Sequence, residues 1–256
     1  RSSAASDVYK RQYGVCGLDF KELETDEKKY VKKCFKEQIL PVLSPQIVDS
    51  SHPFPHLMNK DIYVTANLKH INSRKNKDDK EKEQILGIVP VPTYVSDILM
   101  LPGHDIRYIR MEKVIMEYLD LVFDQYEVSD PNYICVTRNA DVSPDDEALE
   151  VTDDFRKLMQ STLHKRRRMA VVRLETAEKL TPEMQEYFCK KFKITPEQIF
   201  RTKMPMKLDY MFSIAGNLPE SMKKALVYEP FSPQKSAHVQ DGNCLLYTSP
   251  SPRDRG

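Results

Sequence analysis

The chain has 256 residues, 40% of them hydrophobic and 30% charged, with a formal net charge of +1. That composition belongs to a globular protein able to bury one large core, and it excludes collagen-like, low-complexity and membrane-embedded classes. No apolar run approaches the ~20 residues that cross a bilayer, and the first residues lack the apolar stretch of a secretory signal, so a cytoplasmic protein without a transmembrane segment is expected.

The two ends are read apart from the rest. "SDVYKRQ" (Ser6 to Gln12) can be encoded by TCA GAT GTG TAT AAG AGA CAG. The opposite strand of that DNA, shifted by one base, reads TGT CTC TTA TAC ACA TCT, which encodes "CLLYTS" (Cys244 to Ser249). Ends encoded by inverted copies of one sequence resemble transposase-type sequencing adapters. Residues 1–12 and 244–256 are therefore expected to be adapter-derived rather than native. Without them the formal charge falls from +1 to about −2, which argues against a dedicated nucleic-acid binder.

In chain order, Val31, Phe35 and Ile39 recur at four-residue spacing behind first-turn acids and predict an amphipathic helix from Thr25, with Thr25 as its N-cap. Pro41 and Pro45 end it and impose an extended, turn-rich segment to Pro55. "DIYVTANLKHI" and "EQILGIVPVP" predict two strands, with the mixed-charge run "NSRKNKDDKEKE" as a solvated hairpin loop between them. "DIRYIRM" predicts a short strand, and Met111, Val114, Ile115, Tyr118, Leu119 and Val122 then draw one face of a helix. "NYICVTR" returns to strand.

"SPDDEALEVTDDFRKLMQSTLHKRRR" carries the fullest set of helix signals: Ser143 and Pro144 at its start, acids in its first turns and bases at its end. "MAVVRLE" predicts a buried-type strand. A further helix begins with Thr181 as N-cap and Pro182 behind it, turning Met184, Tyr187, Phe188 and Phe192 inward. "TPEQIFRT" predicts a turn into a short strand, and "KLDYMFSIAG" a short helix closed by Gly216. Several of these strands are expected to be joined by hairpins rather than crossovers. The fold class is accordingly α+β, a mixed β-sheet with packed helices.

Seven glycines, with no G-x-G-x-x-G and no G-K-[ST], supply no phosphate-binding loop. Five scattered cysteines without a C-x-x-C pair predict packed, reduced thiols. His52 and His56 are separated by two prolines that forbid the helix needed to aim both rings at one metal. His164 sits at a predicted helix C-terminus, and Asp145, Asp146 and Glu147 in a first turn; each placement answers the helix dipole without invoking catalysis.

Five phrases carry a resemblance: "KEQILPVLSPQIVDSSHPFPHLMN", "GIVPVPTYVSDILMLPG", "RYIRMEKVIMEYLDLVF", "YICVTRNADVSPDDEA" and "RRRMAVVRLE". In order and spacing they are similar to the bacterial-type polyphosphate kinase family, whose signatures run "PVLTPLAVDPxHPFP", "LPRFVxLP", "VxLEDVI", "FRVTRNADLxxxEDEA" and "RxAVVRLE". The resemblance covers nearly all of Tyr13 to Asn243. His56 departs from it by replacing the usual aromatic after "HPFP", and the charged loop between Asn72 and Gln84 is longer or more polar than typical.

The resemblance implies this organisation: residues 13–40 end a helical N-terminal domain, 41–217 form the middle or head domain, and 218–243 lead toward a first catalytic domain. It implies an enzyme that reversibly moves the terminal phosphate of ATP onto inorganic polyphosphate through a phosphohistidine, with ATP and magnesium as cofactors of the full-length protein and homo-oligomers formed through the head domain. The phosphorylated histidine and the magnesium-binding residues are expected in C-terminal domains, and the adenine contact near the true N-terminus. No catalytic, cofactor-binding or metal-binding residue is therefore assigned within this chain, and the isolated fragment is expected to be inactive. A free-standing head module serving oligomerisation or polyanion binding is the alternative. Arg138, Asn139, Arg166 and Arg167 are the candidates for touching polyphosphate, because guanidiniums bind phosphate bidentately. Helix capping and solvation explain the same residues without a ligand.

Overall fold

The computed structural model describes residues 14–71, 85–103, 106–139, 156, 169–226, 228–229 and 231–232. The sequence patterns resolve in chain order into strand β1 (Val15–Gly17), helix α1 (Thr25–Cys34), and strands β2 (Gln46–Val48), β3 (Ile62–His70), β4 (Ile85–Pro90), β5 (Ile98–Met100) and β6 (Ile106–Arg110). Helices α2 (Met111–Glu117) and α3 (Leu119–Val122) follow, then β7 (Tyr126–Arg138), β8 (Val171–Thr176), helix α4 (Pro182–Phe192), β9 (Ile199–Arg201) and helix α5 (Tyr210–Asn217). One compact unit ends at Asn217; the unit from Leu218 onward contains helix α6 (Glu220–Leu226), with Lys223 paired to Glu220 one turn away.

Six strands form one sheet in the order β2-β4-β3-β7-β8-β9, and three form another in the order β1-β6-β5. Neighbours in the larger sheet are antiparallel except β8 and β9, which α4 joins by a crossover. The smaller sheet pairs β1 parallel to β6 and β5 antiparallel to it. Mixed sheets with packed helices make this the α+β fold expected from the sequence.

The large sheet is covered on both faces, which is why β3 and β4 are buried at successive residues rather than alternate ones. Ile62, Val64, Ala66 and Leu68 of β3 pack with Val31 of α1, with Phe35 directly after it, and with Val114 and Ile115 of α2. Tyr63, Leu86, Ile88, Ile134 and Leu174 pack on the opposite face with Met184, Phe188 and Phe192 of α4. Each large apolar side chain fully buried in these layers contributes roughly 1.5–3 kcal/mol. Gly87 leaves room for Phe123, since a Cβ there would lie 2.8 Å from its ring.

Helix α1 is held by buried polar as well as apolar contacts. Its buried Glu27 accepts the Glu24 N–H at 2.9 Å and pairs with Arg107 of β6 at 2.7 Å. The helix starts one residue earlier than expected, with Glu24 as N-cap, and its apolar stripe continues through a wide turn at Phe35–Ile39. The predicted helix after β6 is broken in two at Tyr118, whose ring packs against Phe20 and Phe35.

Strand β7 begins six residues before "NYICVTR". Asp130 (φ 50°) and Pro131 together oppose Ala66, a bulge that fits a proline into a long central strand. Strand β8 is less buried than its composition suggests: Val172 and Arg173 face solvent. Thr181 caps α4 as expected, its hydroxyl accepting the Met184 N–H at 3.3 Å. Gly216 lies inside α5 rather than closing it, and its φ is not positive. The helix predicted over Ser143 to Arg168 falls almost wholly outside the described residues.

Candidate functional site

Arg138, the last residue of β7, sits where three segments converge. Its Nε donates to the Leu57 carbonyl at 2.9 Å, its Nη1 to the Met169 carbonyl at 2.7 Å, and its Nη2 lies 3.5 Å from His56 Nδ1. Its backbone N–H donates to Asn59 Oδ1 at 2.8 Å, and the next N–H, that of Asn139, donates to the Ala170 carbonyl at 2.9 Å. The proline-rich segment "HPFPH" is thus tied to the end of β7 and to the start of β8. Partial burial pushes the guanidinium down from its ordinary value, while nearby Tyr63 acts the other way. Arg138 is a positioning group, with three of its five N–H donors directed at protein. Asn139 stands beside it. Arg166 and Arg167, the other two candidates, lie outside the described residues.

A second cluster was not legible from the sequence. At the junction of β6 and α2, Arg110 pairs with Glu112 at 2.7 Å and donates to the Tyr133 hydroxyl at 3.3 Å; both charged side chains are nearly excluded from water. Asp97, Lys207 and Tyr210 line the same cleft, and Lys207 pairs with Asp61 at 3.1 Å. Burial pushes the Glu112 carboxyl up, and Arg110 pulls it back. Asp97 is raised by burial and by Asp209, with Lys207 opposing. Two carboxylates, Asp97 and Glu112, share this lining with two bases, Arg110 and Lys207, and the Lys207–Asp61 pair ties the approach to α5 to the residue before β3. The sequence signal was faint: a glutamate two residues after an arginine at a strand-to-helix junction.

Two further reactive groups among the described residues, Asp49 with His52 and Cys135, are structural. Asp49 Oδ1 accepts the N–H groups of Ser51 and His52 and contacts His52 Nδ1 at 2.9 Å, and these bonds hold its carboxyl below the usual range. Desolvation pushes the Cys135 thiol up to about 11, which removes it as a nucleophile near neutrality. Among the described residues no three His, Cys, Asp or Glu side chains converge as a metal site. No described helix is long and apolar enough to cross a membrane.

Residues 26–214 match the family described as "Polyphosphate kinase middle domain". Curated proteins named polyphosphate kinase are similar along most of the chain. The Bacillus anthracis protein is 29% identical over 231 residues, 89% of this chain and 32% of its own. The Halalkalibacterium halodurans protein is 30% identical over 210 residues, 81% of this chain and 28% of its own, and the Pseudomonas putida protein 28% over 212 residues, 80% and 27%. The crystal structure of polyphosphate kinase from Porphyromonas gingivalis superposes with a TM-score of 0.61 at 22% identity, covering 96% of this chain and 32% of that one, and at that identity supports the fold alone. The chain spans less than a third of the length of these curated relatives.

Proposed function

The chain belongs to the polyphosphate kinase family, and from that membership we propose that it is the middle region of an enzyme that reversibly transfers the terminal phosphate of ATP to inorganic polyphosphate. The observation that carries this reading is the family match over residues 26–214 in a chain spanning less than a third of its relatives. Phosphoryl transfer through a phosphohistidine divides one displacement into two, with magnesium and basic side chains balancing the charge of the transferred group. Within this chain no described cluster of carboxylates or histidines is arranged to hold magnesium, so no magnesium ligand is named and no chemical step is routed through these residues.

What the region supplies is a rigid two-faced scaffold. Arg138 fixes the "HPFPH" segment and the start of β8, and β8 follows directly on the basic run Arg166, Arg167 and Arg168. Arg138, Asn139, Arg166 and Arg167 are proposed polyphosphate contacts on this basis, in a cytoplasmic enzyme that self-associates through this domain. The other reading, a free-standing oligomerisation or polyanion-binding module, predicts the same fold.

The two separate experimentally when the source gene is read in frame past Asn243 and its product assayed for ATP-dependent polyphosphate synthesis. Further domains with a phosphorylatable histidine and activity establish the kinase. A stop codon directly after Asn243 withdraws it in favour of the module.

A further inference from the structure

The inward residues of α1 and the wide turn after it are Glu27, Val31, Cys34, Phe35 and Ile39, all buried, and Leu23 just before the helix is buried with them. At 100° per residue the direction opposite them is taken by Lys29, Lys32, Lys33 and Lys36, spaced i, i+3, i+4 and i+7 and all exposed. They form a row about 10 Å long, at 1.5 Å rise per residue. Lys29 makes an exposed contact with Asp26; no ion pair within the described residues engages Lys32, Lys33 or Lys36. Complementing the helix dipole accounts for lysines in the last turn. It does not require their alignment with Lys29 one turn earlier or with Lys36 beyond the helix end.

We propose that this row is a polyanion-contact surface for a linear inorganic polyphosphate chain, distinct from the Arg138 cluster. The inference rests on the polyphosphate kinase reading for the identity of the anion and on the lysine geometry for the site. Ammonium groups are point charges on flexible stems, suited to a featureless repeating anion rather than to bidentate recognition of one group. A nucleic acid needs aromatic platforms for its bases, and a membrane needs apolar side chains to insert. The row itself offers neither. The nearest exposed aromatic, Tyr30, lies toward the helix flank, 38% exposed and hydrogen-bonded to Cys34. The acids at the margins, Asp26 and Glu37, flank the row without interrupting it.

The test is a titration of the whole 256-residue chain with end-labelled linear polyphosphate at several salt concentrations. Replacing Lys32, Lys33 and Lys36 together by Gln should weaken binding at least tenfold at low salt. It should also flatten the slope of log affinity against log salt by about 2, near 0.7 per lost contact. A control triple on α4 and its cap, Lys190→Gln, Lys191→Gln and Lys193→Gln, removes the same charge and should leave binding within twofold. Circular dichroism of both variants verifies that each is folded.

Equal losses in the two triples, or no binding by the parent chain, overturn the proposal. So does tighter binding of a single-stranded oligonucleotide of the same charge, which would assign the face to nucleic acid. Failure of the kinase reading is a separate result. If the longer gene product makes polyphosphate while the first triple changes neither binding nor the KM for polyphosphate, only the lysine row is wrong. If that product is inactive but the row binds polyphosphate selectively, only the enzyme assignment falls.

Discussion

The guanidinium of Arg138 reaches across from the end of β7 to the Met169 carbonyl, 2.7 Å away, and closes the two ends of the long β7 to β8 connection against each other. A second donor of the same group holds Leu57. Lysine keeps the charge but cannot span both carbonyls with a planar fork. Arg138→Lys should therefore lower stability by on the order of 1.5 kcal/mol, the weight of a hydrogen bond to a charged group. Urea denaturation measures it, and hydrogen exchange should show the loss concentrated at residues 56–59 and 169–171. An unchanged midpoint would mean that the fork contributes nothing to this corner.

Gly87 is predicted to tolerate no side chain while Phe123 is in place. The Cβ of Gly87→Ala would meet the Phe123 ring at 2.8 Å, and overpacking of this kind costs about 1–3 kcal/mol. Adding Phe123→Leu should return part of that loss. Such coupling, of about 0.5 kcal/mol or more in a double-mutant cycle, identifies the ring as the obstacle; strict additivity would rule it out.

Asp97 gives a pH signature. Its folded pKa is raised above the ordinary 3.8 by burial and by Asp209, so the folded state favours the protonated carboxyl. That contribution is complete below 3.8 and is lost as pH rises through the folded value. Asn mimics the protonated form. Asp97→Asn should be more stable than the parent at pH 7, and the gap should close as pH falls toward 3.8. A gap that widens on acidification would reverse the assigned direction. The charges to be tracked with it are Lys207, Asp209, Asp61, Arg110 and Glu112, which line or adjoin the same cleft.

Cys135 should resist alkylation in the folded chain. Its thiol is buried and pushed up to about 11, so at pH 8 almost none is thiolate. Mass spectrometry after iodoacetamide treatment should find Cys135 unmodified while half-buried Cys16 reacts, and denaturant should erase the difference. Equal labelling in the native chain would contradict this burial.

The parts of this fold legible in the sequence are those where local and tertiary demands agree. Val31, Phe35 and Ile39 marked α1, and Thr181 with Pro182 marked the start of α4, because caps and stripes are written within a few residues. Strands β1, β2 and β5 were missed since three residues carry no periodicity, whereas the equally short β9 was marked by the turn residues before it. The first half of β7 was hidden by Pro131, which the bulge opposite Ala66 accommodates. Charge pairing was illegible for a different reason. Glu112 and Glu27 look like solvated helix acids until Arg110 and Arg107 arrive beside them from β6. Arg138 was singled out for its charge, and its dominant partners are carbonyls that no sequence pattern announces.

Strand β1 pairs with β6 and β3 with β7, so residues about ninety and about 55 to 75 positions apart must meet before either sheet is complete. Among the described residues on this side of β7, β3–β4 and β5–β6 are the antiparallel pairs that join strands adjacent in the chain. As the chain is synthesised, the β3–β4 hairpin is available early, yet one long edge of β3 stays open until Tyr126–Arg138 has emerged. Loop-closure entropy of this kind makes folding slow relative to a helical bundle of the same size. During that interval the backbone groups along that edge of β3 are unpaired, and the newborn protein is most exposed to aggregation before its middle strand arrives.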